Sequence, residues 1–201
     1  GLSLVGSEMC IRDSIRIEKE RHTQSMRRYS EYRVALVGYT NAGKSTLFKT
    51  LTGTNVYIQD QLFATLDTTI RKLSLDSAHT ILLSDTVGFI RKLPHNLVAS
   101  FKSTLKEVLE ADLILMVLDI SSPQISEHII TIFDVLKEMS ANKIPILKVL
   151  NKVDLISNGK LIKKLQQSFP DSVTISAKNH LKISDLKQKI ITIMESDYET
   201  V

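Results

Sequence analysis

The run Gly38-Tyr39-Thr40-Asn41-Ala42-Gly43-Lys44-Ser45 matches the spacing G-x-x-x-x-G-K-[ST]. Glycines let a main chain curl until successive N–H groups converge on an anion, and a helix starting just behind adds partial positive charge. The chemistry is that of phosphate binding. Lys44 is expected to reach the β and γ phosphates of a nucleoside triphosphate, the Ser45 hydroxyl to ligate Mg2+, and Thr46 beside it to belong to the nucleotide-binding set. A chance glycine-rich turn would need neither a strand before it nor a helix after it, and here both are expected.

Asp85-Thr86-Val87-Gly88 follows an apolar run at 81–83, which places a carboxylate where the metal of such a site would sit. Asp85 is then expected to hold Mg2+ through water, and Gly88 to offer an N–H to the γ-phosphate with no side chain in the way. Asn151-Lys152-Val153-Asp154 ends another apolar run, at 146–150. Guanine presents N1–H and N2–H2 donors that a carboxylate can accept together, whereas adenine has an acceptor at N1. Asp154 therefore points to GTP over ATP, because a mismatched base would leave the carboxylate unpaired. The Lys152 stem can lie along the base, Asn151 can tie this loop to the phosphate loop, and Ser176-Ala177-Lys178 can present N–H groups to guanine O6.

These loops need a frame. After Arg33 the sequence alternates short apolar runs with longer amphipathic segments. Strands are expected at 34–37, 73–75, 81–83, 113–118, 146–150 and 173–175, and helices at 44–52, 96–110, 124–140, 159–168 and 183–195. Strands that are apolar nearly throughout and recur between helices imply a doubly wound α/β domain with a mainly parallel sheet and helices on both faces. Ligands of such sheets sit beyond the carboxyl ends of the strands, where the three motifs fall.

The 201 residues leave room for one full domain and an arm. Residues 32–201 are expected to form the nucleotide-binding domain, and 15–31, rich in good helix formers, a helical linker. Residues 1–14 show no period and no signal-peptide layout; they read as a disordered terminus or as adapter-derived sequence joined to a truncated gene. No apolar run approaches the ~20 residues of a membrane span. Lysine and arginine total 26 against 22 acids, a small surplus that argues against DNA binding and confines any RNA contact to a local patch. Cys10 is the one cysteine, which excludes an intramolecular disulfide and a cysteine-based metal cluster and fits a cytoplasmic protein. The five histidines show no metal-ligand spacing, and surface positions account for most of them; His95, beside Pro94, stands apart as a site for conformational change or partner contact.

Together the motifs resemble the translation-factor-like class of P-loop GTPases. Val34 to Phe48, Asp60-Gln61-Leu62-Phe63-Ala64-Thr65-Leu66-Asp67, and Asp85 to Arg91 with Leu93-Pro94-His95 narrow the resemblance to the HflX family of ribosome-associated GTPases. It covers about residues 15–200. Thr68 stands where that family usually has proline, and the family's amino-terminal domain is missing.

The resemblance implies a G domain in which Phe63, Ala64, Thr65, Leu66 and Asp67 form switch I. Thr65 completes the Mg2+ shell and senses the γ-phosphate, with Thr68 and Thr69 as competing positions. Phe89 follows Gly88 where Ras-like enzymes carry the glutamine that orients water, so unassisted hydrolysis is expected on the order of 10⁻⁴ to 10⁻² s⁻¹. Asn41 either coordinates K+, as in several related GTPases, or merely braces its loop. The implied protein is a monomeric GTP/GDP switch acting on the large ribosomal subunit, mostly through the missing amino-terminal region, in subunit separation or rescue. Rival readings are a nucleotide-dependent binding module with negligible hydrolysis and a GTPase domain of RNA-modifying machinery like that of TrmE and Era.

Overall fold

The computed structural model describes residues 32–53, 69–86 and 106–199. The chain divides after Tyr32, and the fold below is that of the second unit, Arg33–Val201. Strand β1 spans Tyr32–Gly38, helix α1 Lys44–Thr52, β2 Thr69–Ser74, β3 Thr80–Asp85 and β4 Leu113–Asp119. Helix α2 follows at Ile125–Glu138, then β5 at Ile146–Asn151, a 3-10 turn at Val153–Leu155, α3 at Gly159–Ser168, β6 at Val173–Thr174 and α4 at Ile183–Glu199.

The six strands make one sheet in the order β2-β3-β1-β4-β5-β6. β4 runs parallel to both β1 and β5, and β5 parallel to β6, whereas β2 and β3 form an antiparallel edge hairpin. The sheet is therefore mixed but mainly parallel. In β4 six successive residues, Leu113 to Leu118, are almost fully buried, as expected of a strand covered on both faces. Alternation sorts them: Ala35, Val37, Ile114, Met116 and Leu118 pack with Ile132 and Leu136 of α2 in one cluster. The intervening Leu36, Leu113, Leu115 and Val117 are buried as well, as are Phe48 of α1 and Ile190 of α4.

Helices α1 and α3 have the bounds expected from their periodicity, while α2 is shorter, at 125–138, and α4 runs on to Glu199. The expected helix at 96–110 is described only from residue 106, helical through 109, and the linker at 15–31 lies outside the described residues. Strand β2 corrects the sequence reading: it begins at Thr69, not at 73. As an edge strand it leaves Ile70, Arg71 and Lys72 exposed, so most of it lacks the apolar signature of the inner strands. Its turn is built by Asp76, whose Oδ1 accepts from the N–H groups of Ala78 and His79.

Candidate nucleotide site

Motif residues gather at the carboxyl ends of β1, β3, β5 and β6. Gly38 closes β1, and a Cβ there would come within 2.5 Å of the Val117 carbonyl oxygen, so only glycine lets β1 approach β4 so closely. Tyr39, Thr40, Asn41 and Ala42 turn the chain, with the Ala42 N–H donating to the Tyr39 carbonyl. Gly43 then enters α1 at φ 93°, and a Cβ on it would meet the Asn151 amide nitrogen at 2.4 Å. Among the described residues no side chain caps α1, which leaves its first amides available to an anion.

Lys44 is buried and donates from Nζ to the Tyr39 carbonyl at 3.1 Å. Burial pushes its ammonium down to about 8, against the pull of the Asp85 carboxylate, which favours the charged form. Asp85, 1% exposed at the end of β3, accepts from the Ser45 hydroxyl at 2.7 Å. A hydroxyl and a carboxylate so close form the small, hard oxygen set that Mg2+ combines with phosphate oxygens and water, so these residues fit that ion. Among the described residues no cluster of three or more His, Cys, Asp or Glu could hold a metal by itself.

The third motif works as a junction. Asn151, 2% exposed, donates from Nδ2 to the Ala42 carbonyl at 2.9 Å and accepts on Oδ1 from the Ala177 N–H at 3.0 Å. One side chain thus joins three loops. Lys152 takes a left-handed turn at φ 67°, and its Nζ donates to Asp119 Oδ2 at 2.7 Å and to the Asn41 carbonyl at 2.8 Å. Burial alone would raise the Asp119 carboxyl. Hydrogen bonds from Lys152 and Ser121, with the Lys152 charge, outweigh it and hold the group below the usual carboxylate range.

A cavity of about 410 Å3 is lined by Asn41, Gly43, Thr46, Asn151, Lys152, Asp154, Leu155 and Lys178. Asp154 is exposed there, in the 3-10 turn, with its carboxylate open to a ligand. The Ser176-Ala177-Lys178 loop departs from expectation. The Ser176 N–H donates to the Leu181 carbonyl and the Ala177 N–H to Asn151, so of the three amides only that of Lys178 donates to no described residue. Thr86 also departs, its hydroxyl being buried against the Leu36 carbonyl. Phe63, Ala64, Thr65, Leu66, Asp67, Thr68, Val87, Gly88, Phe89 and His95 lie outside the described residues. Thr69 opens β2 and pairs in register with Asp85.

Three participants escaped the sequence reading. Asp119 ends β4 opposite Asn151, a register that no sequence pattern announces. Thr50 Oγ1 donates to the Ala177 carbonyl at 2.8 Å, a contact no motif announces. The His128 ring of α2 stacks on Tyr39 of the phosphate loop, centroids 3.9 Å apart at 11°, so His128 is not the simple surface residue expected.

The model of the 50S ribosome-binding GTPase family matches residues 33–152. A GTPase HflX of Caldanaerobacter subterraneus subsp. tengcongensis is 46% identical over 187 residues, 92% of this chain and 42% of that protein. The chain thus spans about two fifths of the length of such relatives. Among solved structures, a GTP-binding protein of the archaeon Sulfolobus solfataricus in complex with GDP is 28% identical at a TM-score of 0.66, over 94% of this chain and 61% of the other. Era in complex with MgGDPNP and a segment of 16S ribosomal RNA is 27% identical at 0.64, over 80% and 55%.

Proposed function

This chain belongs to the 50S ribosome-binding GTPase family, with the G domain of a GTPase HflX, and on that premise we propose that it is a GTP-hydrolysing switch acting on the large ribosomal subunit. The observation that carries the reading is the junction at Asn151, which draws the start of α1, an open carboxylate and an amide with no acceptor among the described residues to the rim of one pocket. Asp154 would accept the guanine N1–H and N2–H2, the Lys152 stem would lie under the base, and the α1 amides with Lys44 would hold the phosphates.

Ser45 would ligate Mg2+ directly and Asp85 through water, with Thr65 completing the shell; the ion, when bound, neutralises charge at the β and γ phosphates. Thr65 and Gly88 would be drawn in by the γ-phosphate, and both loops would relax after in-line attack of water. Phe89 cannot orient that water, so turnover is slow until a ribosomal partner orders the switches. Asn41, exposed at φ 64° with its carbonyl on Lys152, is the candidate K+ ligand, and a rate ratio near one in matched KCl and NaCl would remove that role. Subunit separation or rescue of stalled ribosomes in the cytoplasm is the biology that follows, with the amino-terminal domain of the longer relatives making much of the ribosome contact.

Calorimetry with GTP, GDP and ATP tests the base assignment, and Asp154→Asn should transfer preference to xanthine nucleotides. Equal affinity for guanosine and adenosine forms would overturn it. Turnover with and without 50S subunits separates a ribosome-stimulated GTPase from a binding module whose hydrolysis is negligible.

A further inference from the structure

We propose that Thr50 is a positioning residue that aims the Lys178 amide at the purine O6 and so helps choose guanine. The inference rests on the GTP-binding reading above. Helical threonines commonly bond back to the carbonyl four residues earlier, and Thr52, Thr131 and Thr192 do so here. Thr50, half-buried on α1, instead crosses to the Ala177 carbonyl, 127 residues along the chain, at 2.8 Å.

That carbonyl shares its peptide plane with the Lys178 N–H. The bond is trans, so the two groups point in opposite directions on a rigid plate. Fastening the carbonyl to α1 therefore turns the Lys178 N–H away from α1, at a residue that lines the pocket with Asp154. The preceding peptide plate, joined to this one at the Ala177 Cα, is held too, since the Ala177 N–H is bound to Asn151 Oδ1. Its neighbours are also committed, Ser176 N–H to Leu181 and Asn179 N–H to Ser176 Oγ, so among the described residues the Lys178 amide is the donor left for a ligand.

A fixed donor beside the Asp154 carboxylate complements guanine, whose O6 acceptor adjoins its N1–H. It opposes adenine, which carries an amino donor at position 6. Thr50 stands six residues after Lys44 on the helix whose first turn would hold the phosphates, so one rigid element positions both ends of the nucleotide site.

The test compares affinity for GDP and for 6-thio-GDP, whose sulfur is a poor acceptor, in the wild-type chain and in Thr50→Val, Thr50→Ala and Thr50→Ser. Loss of one hydrogen bond's worth of alignment should weaken GDP about five- to tenfold in the Val and Ala variants, with 6-thio-GDP weakened under about twofold and the Ser variant near wild type. Equal losses for both nucleotides would mark Thr50 as merely structural and overturn the proposal, as would unchanged GDP affinity in both variants. Failure of the wild-type chain to take up GDP would instead overturn the nucleotide-binding reading beneath it. Melting midpoints without nucleotide show that each variant is folded, and two substitutions of different size guard against a single one that does not fold.

Discussion

Asn151 Nδ2 lies 2.9 Å from the Ala42 carbonyl oxygen and ties the end of β5 to the phosphate loop across 109 residues of sequence. Asn151→Ala removes this bond together with that from Ala177, leaving two buried main-chain groups without partners. A loss of about 2–4 kcal/mol is expected in urea unfolding without nucleotide, with GDP affinity at least about tenfold weaker. Asn151→Asp keeps the acceptor for Ala177 and should fall between. A stability change under about 0.5 kcal/mol would contradict the junction.

Gly43→Ala should be as harmful to binding, for a different reason. The left-handed φ of 93° disfavours a side chain, and the new methyl would be driven to 2.4 Å from the Asn151 amide nitrogen. Strain of this kind costs about 1–3 kcal/mol, readable as a lower urea midpoint with unchanged slope. Gly53→Ala also sits at positive φ, 67°, but meets nothing within 4 Å among the described residues, and should keep nucleotide affinity while losing a little stability.

The buried Lys44 makes affinity depend on pH. Its folded value, about 8, lies below the ordinary 10.5. Below pH 8 the protein carries the cost of a buried ammonium; between about 8 and 10.5 the unfolded chain holds more protons, so this contribution to stability rises with pH. Phosphate favours the charged form, so binding has the opposite sign. GDP affinity should be flat below about pH 8 and fall above it by up to about tenfold per unit. Calorimetry across that range checks the bend, which Lys44→Arg should abolish.

Asp119 holds the Lys152 ammonium at 2.7 Å, and Lys152 in turn grips the Asn41 carbonyl. In Asp119→Asn that charge pair is lost and the stem is freed, so GDP release followed with a fluorescent analogue should accelerate about three- to tenfold. Because the folded carboxyl lies below its ordinary value, the contribution is present at neutral pH and is lost as pH falls through the folded value. The acceleration should therefore shrink in acid.

Metal removal tests the Ser45 and Asp85 pair. Chelation of Mg2+ should speed GDP release from the wild-type chain and should change Ser45→Ala much less, since that variant has already lost one oxygen of the set. Equal chelator effects in both would place the ion elsewhere.

The inner strands were legible in the sequence because burial on both faces demands unbroken apolar residues, as in Leu113 to Leu118. Helices α1 and α3 were legible from their period alone; the Asn158 side chain that caps α3 appeared only in the fold. The edge strand β2 was not, since solvent tolerates Arg71 and Lys72 there. The motifs named Lys44, Ser45, Asp85, Asn151, Lys152 and Asp154, which local chemistry demands at those spacings. They could not say that Thr86 would turn its hydroxyl to Leu36 or that the Ala177 amide would be taken by Asn151.

By itself, then, the amino-acid order determined which chemical groups are present and that each follows a strand. The folded arrangement alone decided which atoms meet: Asp119 with Lys152, Thr50 with Ala177, Tyr39 with His128. Such contacts depend on strand order and register, which bring β4 between β1 and β5 and set Asp119 beside Asn151. Side-chain periodicity is local and reports only whether a segment is buried, so partners separated by dozens of residues leave no trace in it.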